Sequence, residues 1–241
     1  MRSRLFPKSE RGTANHGWLQ ANFSFSFGNY YNPEMVQFGM LRVLNDDTIA
    51  AGMGFGTHPH ENMEIITIPL EGGLTHRDSM GNEETVRFGE VQVMSAGTGI
   101  RHSEMNASQT EQAKTLQLWI FPEKENVTPR YGQKSFDLEN NRNSLVNVVS
   151  PEDKNDGNAL WIHQQAFLHM GLFDAGQNFN YDIKIPGNGL YLFLIEGELE
   201  INGQAVHERD AFGAVEFETV AITTKAPSKM LAIEVPMQFK D

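Results

Sequence analysis

The sequence predicts an all-β fold built from two tandem β-domains, and three observations carry that prediction. Glycines between Gly52 and Gly99 punctuate short apolar stretches, such as Met63–Leu70 and Val91–Met94, every eight to twelve residues, the spacing of a β-sandwich or barrel. The pattern of the first half returns in the second. A hairpin signal, Asn202-Gly203, lies between two runs that read as strands.

Met63-Glu64-Ile65-Ile66-Thr67-Ile68 is rich in β-branched residues and is bounded by Pro69 and the Glu71-Gly72-Gly73 turn, so it reads as a strand. Tyr191-Leu192-Phe193-Leu194-Ile195 meets Glu196-Gly197 in the same way. Polar stretches follow in both halves, then Phe88-Gly89-Glu90 or Phe212-Gly213-Ala214, then a closing strand, Leu116–Pro122 or Met230–Pro236. This is the mark of an internal duplication. The polar stretch Ser150–Asn158 reads as a surface loop or linker near the boundary, and the division expected is 1–135 and 136–241. The first 30 or so residues fit neither repeat, but Phe23, Phe25 and Phe27 alternate at period two, which predicts a strand with one apolar face packed on one of the domains.

Composition narrows the function. The 241 residues include 39% hydrophobic and 21% charged, which suits a folded domain. A formal net charge of −12 with no Lys/Arg cluster argues against direct nucleic-acid binding. The absence of cysteine excludes disulfides, thiolate metal sites and thiol catalysis, so any metal is held by nitrogen and oxygen. The N-terminus lacks the apolar stretch of a secretory signal, and no run approaches the length of a membrane span. A cytoplasmic protein with no membrane association is expected, and a monomer.

Two short runs carry chemistry: Gly56-Thr57-His58-Pro59-His60 and Arg101-His102-Ser103-Glu104. In a strand, residues i and i+2 share a face, so His58 with His60 and His102 with Glu104 form two pairs of parallel ligands. On a helix the same spacing would separate them, and Pro59 disfavours a helix in any case. Three imidazoles and one carboxylate suit one mononuclear divalent transition metal with open positions, the arrangement of a catalytic centre. Iron, manganese, nickel, copper, zinc and cobalt all accept such a donor set. Among the other histidines, His16 is a candidate to reach the pocket, His76 falls on a hairpin, and His163, His169 and His207 read as ordinary. Arg101 is a candidate partner for Glu64 or for a substrate oxygen, and Arg42 reads as structural.

These motifs resemble the cupin superfamily. Gly52, His58, His60 and Glu64 match its first motif, and Gly99, His102 and Asn106 its second. The longer runs Phe55–Glu64 and Met94–Glu104, with Arg11–Trp18, resemble the pirin family. That resemblance implies a bicupin of two jelly-roll domains, with His58, His60, His102 and Glu104 as metal ligands and iron(II) as the first choice of ion. The usual cupin glutamate, Glu64, stands as the rival, because one residue of strand slippage decides which carboxylate points inward.

Counting back from Glu196 as His58 is counted from Glu71 places Ile183 and Ile185 where the second half would need histidines, so that half should be empty of metal. The resemblance implies one of two functions. One is a quercetin 2,3-dioxygenase-like enzyme acting on a flavonol and O2, with Glu104 next to the reacting oxygen as proton acceptor. The other is a metal-dependent or redox-sensing regulator that binds a protein partner in transcription or metabolism. For the first, Trp18, Phe23, Phe25, Phe27 and Phe55 are candidate pocket walls.

Overall fold

A computed structural model describes residues 1–239. The chain forms two barrels of one design, each a seven-stranded sheet facing a four-stranded one. In the first, the large sheet runs in the order Arg130–Ser135, Glu90–Ser95, Glu64–Glu71, Ala113–Ile120, Leu41–Ile49, Leu19–Phe23, Gly12–Asn15. Its small sheet runs Gly54–His60, Ile100–Asn106, Gly73–Asp78, Glu83–Arg87. The second barrel repeats both orders: Arg2–Phe6, Ala211–Val215, Asn188–Glu196, Ser228–Pro236, Phe167–Phe173, Leu145–Pro151, Leu160–Ile162, and then Asn178–Asp182, Thr219–Thr224, Glu198–Ile201, Gln204–His207. The duplication is therefore structural.

The two large sheets pack back to back. Alternation along Glu64–Glu71 sends Ile66 and Ile68 outward from the first barrel, into a buried cluster with Leu116 and Leu118 and with Leu168, Leu231 and Ile233 of the second. Burying that many branched side chains against one another is what makes the two halves one body.

Three features depart from the sequence reading. The first strand, Arg2–Phe6, is hydrogen-bonded to Ala211–Val215 of the second barrel, with Arg2 opposite Val215 and Phe6 opposite Ala211. Its counterpart in the first barrel is Arg130–Ser135, paired with Glu90–Ser95. Secondly, the aromatic alternation does not continue as one strand. The strand ends at Phe23, in the first barrel's sheet beside Leu41–Ile49, and Phe25 turns into the cluster between the barrels. Thirdly, Ser150–Asn158 is a surface loop only after its start: Ser150 and Pro151, both buried, end the strand Leu145–Pro151 of the second sheet, and the largely exposed remainder opens with a single 3-10 turn, Glu152–Lys154. The connection between the halves is the stretch between Ser135 and Leu145. Among the described residues no helix is long and apolar enough to cross a membrane.

Candidate metal centre

The centre is built by one strand pair. Gly54–His60 runs antiparallel to Ile100–Asn106, with His58 opposite His102 and His60 opposite Ile100. Phe55 then faces Glu104, so Gly56 and Thr57 oppose the single Ser103, a β-bulge of the sort that re-aims side chains beside functional sites. The three imidazoles converge: ring centroids of His58 and His102 lie 4.4 Å apart, His58 and His60 4.8 Å, His60 and His102 4.9 Å. One nitrogen from each lies within 4.8 Å of the others.

The remaining nitrogens say which atoms are free. His58 Nδ1 lies 2.8 Å from the Gly56 carbonyl and donates to it, leaving the Nε2 lone pair open. His76 Nε2 donates to Asp78 Oδ2 at 3.0 Å, so its Nδ1 is an acceptor and takes the Nδ1 proton of His102 at 3.3 Å. Asp78 is itself fixed by Asn82 and by the Met80 backbone N–H. Burial alone would raise the Asp78 carboxyl, but hydrogen bonds from Asn82 and His76 outweigh it and hold it below the ordinary range. The chain Asp78–His76–His102 thus selects one tautomer of His102. Its Nε2 is buried with no partner among the described residues.

Burial pushes His60 down to about 4, with His102 and His58 adding to the effect and Glu104 opposing it. Burial likewise pushes His102 down to about 3, with His58 and His76 adding and Asp78 opposing. Both rings are neutral near pH 7, the state that ligates a metal. A buried, unpartnered nitrogen converging with two more imidazoles fits a divalent transition ion.

Glu104 is buried on the same strand face as His102. Its Oε1 accepts from Thr67 Oγ1 at 3.2 Å and its Oε2 from Gln117 Nε2 at 2.7 Å. It lines the cavity beside His58 without joining the 4.8 Å nitrogen group. Glu64, in contrast, shares a strand face with Ile66 and Ile68, away from the histidines. Its Oε2 accepts from Ser95 Oγ at 2.7 Å. Burial pushes it up to about 7, against the pull of Ser95 and Arg130. Arg130, rather than Arg101, is its cationic neighbour; Arg101 is exposed on the small sheet. Arg42 donates to the Ser26 and Val36 carbonyls, a structural role.

A cavity of about 580 Å³ opens beside the centre, lined by His58, Glu104, Gln117 and Trp119 and walled by Phe23, Phe27, Tyr30 and Phe55. His16 lines it as well. Trp18 packs edge-on against Phe55 from behind, and Phe25 faces the other way. The sequence reading missed His76, Asp78, Thr67 and Gln117. Only Gln117 left a trace, as a polar residue inside the apolar run Leu116–Phe121.

Two β-barrels back to back, one with a three-histidine cluster on its small sheet, define a bicupin. Comparison with known proteins agrees and goes further. The Pirin family profile matches residues 6–120, and that of the quercetinase C-terminal cupin domain matches 147–235. The chain is 43% identical to the quercetin 2,3-dioxygenase of Escherichia coli K12, over 95% of this chain and 96% of that protein. It is 42% identical to a putative quercetin 2,3-dioxygenase of Pseudomonas aeruginosa, over 95% and 97%. The crystal structure of YhhW from Escherichia coli superposes with a TM-score of 0.93 at 41% identity, covering 100% of both chains. A second structure, bacterial pirin YhhW in complex with nickel(II), gives 0.91 at 41% identity, covering 98% and 99%. The chain belongs to the pirin family.

Proposed function

We propose that this chain is a metal-dependent dioxygenase that cleaves flavonols with O2, its ion held by His58, His60, His102 and Glu104. The observation that carries the reading is the buried, unpartnered His102 Nε2, converging with two more imidazoles of which one, His58, lines an aromatic cavity. The cavity's volume lies within the range of roughly 300–1,000 Å³ usual for small-molecule sites. Relatives named for quercetin cleavage and a nickel-bound pirin point the same way. Iron(II) is the ion we assign, with nickel the first alternative.

The ion, when bound, supplies Lewis-acid activation of the flavonol's 3-hydroxyl and 4-carbonyl oxygens. The chain's own residues do the rest. Glu104 stands on the cavity floor, where one of its carboxylate oxygens takes the 3-hydroxyl proton while Thr67 and Gln117 hold the group in place. Phe23, Phe27, Phe55 and Trp119 receive the flat rings and keep water from them.

Loss of quercetin's visible absorbance under air, with metal-loaded protein and His58→Ala as control, tests the proposal. Turnover in the wild type and none in the variant is expected; turnover unchanged in His58→Ala would overturn it. Absence of turnover with iron, manganese, nickel, copper, zinc and cobalt alike would instead favour a metal-dependent regulator that binds a protein partner.

A further inference from the structure

Two oxygen acceptors inside the cavity have no partner among the described residues. Asn45 and Asp47 are two apart on strand Leu41–Ile49, so both side chains leave the same face of the sheet, and both line the cavity. They are 3% and 5% exposed, yet neither Asn45 Oδ1 nor Asp47 Oδ1 accepts a hydrogen bond. A buried acceptor left unmade loses its hydration and gains nothing in return, which is why native chains rarely leave one.

The side chains opposite them make their hydrogen bonds to other groups. Asn45 faces Gln117 across the strand pair, and Asp47 faces Thr115. The Gln117 amide donates to Glu104 and its carbonyl accepts from Trp119 Nε1. The Thr115 hydroxyl donates to the Ile68 carbonyl. Neither neighbour bonds Asn45 Oδ1 or Asp47 Oδ1, and the cavity is the side from which a ligand's donors can reach them.

Strand order fixes where these acceptors stand. One lateral row of the large sheet reads Thr67, Gln117, Asn45, Phe23. Glu104 sits over the first two, and neighbouring strands are about 4.8 Å apart. Asn45 thus lies one strand beyond the Glu104 perch, beside Phe23 of the aromatic wall, with Asp47 on the same strand face.

We propose that Asn45 and Asp47 form a recognition subsite for two further hydroxyls of the bound aromatic, one donating to each acceptor, on the part of the molecule that lies beyond Glu104. The substrate class is then a polyhydroxylated aromatic, and a ring system whose only hydroxyl faces the metal is a poor ligand. This rests on the reading of the cavity as a flavonol site, but not on turnover.

Calorimetric titration of metal-loaded protein under nitrogen tests it, with quercetin, which carries hydroxyls on its outer rings, and 3-hydroxyflavone, which does not. Wild-type protein should bind quercetin about tenfold or more tighter, one well-placed hydrogen bond to each acceptor being worth that much. Asp47→Leu and Asn45→Leu should each erase most of that preference, whereas Asp47→Asn, which keeps a carbonyl oxygen in place, should retain it. Equal affinity of the wild type for the two ligands, or equal weakening of both by the leucine variants, would overturn the proposal. Should Asp47→Leu fail to fold, Asn45→Leu decides alone. Discrimination that persists without any O2 consumption once air is admitted would sink the dioxygenase reading and leave this one standing.

Discussion

The two barrels share strand order but fill it differently, and the register shows how. In the first, His102 faces Asp78, Glu104 faces His76, and Asn106 faces Leu74. In the second, Ile222 faces Ile201 and Thr224 faces Leu199, so Val220 stands where His102 does, Ile222 where Glu104 does and Ile201 where His76 does. Across the other strand pair Val220 meets Tyr181 as His102 meets His58. Tyr181, Val220, Ile222 and Ile201 are all buried in one apolar cluster. Phe173 stacks on Phe179 at 4.2 Å, and the Tyr181 hydroxyl donates to the buried Glu234. A histidine-lined interior and a hydrophobic core are thus alternative fillings of one scaffold. The first brings three imidazoles together beside a cavity; the second fills the matching positions with apolar side chains.

The comparison breaks most directly if the second barrel's residue is moved into the first. His102→Val should cut metal affinity about a thousandfold, because each ligand carries a large share of a binding energy of order 10 kcal/mol. Elemental analysis should then find almost no metal, against one ion per chain in the wild type. Thermal unfolding of the metal-free variant should be no worse than that of the metal-free parent, since an unpartnered buried nitrogen has gone. The converse damage, Phe173→Ala in the second barrel, should cost about 3–5 kcal/mol in urea denaturation while metal content stays the same.

A subtler cut spares the ligands. Asp78→Ala frees His76 and with it the tautomer of His102, and should weaken metal binding about 10–100-fold in chelator competition. An unchanged affinity would show that the Asp78–His76 chain does not govern the centre.

The smallest effect is on pH. In the metal-free protein His60 and His102 sit below the ordinary histidine value, at about 4 and about 3. Between there and 6.5 the unfolded chain binds more protons, so their contribution is complete above pH 6.5 and is lost as pH falls. Asp47 and Glu64 oppose this: burial pushes them up to about 8 and about 7. Their contribution is complete below about pH 4 and is lost as pH rises through those values. Above pH 6.5 only the carboxyl effect is left, so metal-free stability should fall by on the order of 1 kcal/mol from pH 6.5 to 8. Glu64→Gln should make that decline shallower in urea titrations.

How much of this was legible in the sequence depends on whether the signal was local. His58, His60 and His102 were readable because a strand's period of two writes itself into adjacent positions. His76 and Asp78 were not, since their role exists only through the register that sets their strand beside His102. The same holds for Glu64, which strand alternation turns toward the other barrel. The duplication was visible in its Glu-Gly corners, but counting back from them named Ile183 and Ile185 as the empty ligand positions. The register gives Tyr181 and Ile183 instead, because three residues separate His60 from Glu64 while five separate Ile183 from Gly189. Asn45 and Asp47 left no pattern at all; what marks them is a missing partner.

The placement of Arg2–Phe6 in the second barrel has a consequence for how the protein is made. The strand leaves the ribosome some 200 residues before Ala211–Val215, its hydrogen-bonding neighbour. At about 5–20 residues per second, that is a wait of roughly 10–40 s. For that time Leu5 and Phe6 have no sheet to join, while the metal-site barrel behind them is already complete in the nascent chain. Closing the second barrel's large sheet then waits on Arg2–Phe6 meeting Ala211–Val215, and until it does the edge at Ala211–Val215 is open to any strand that arrives first.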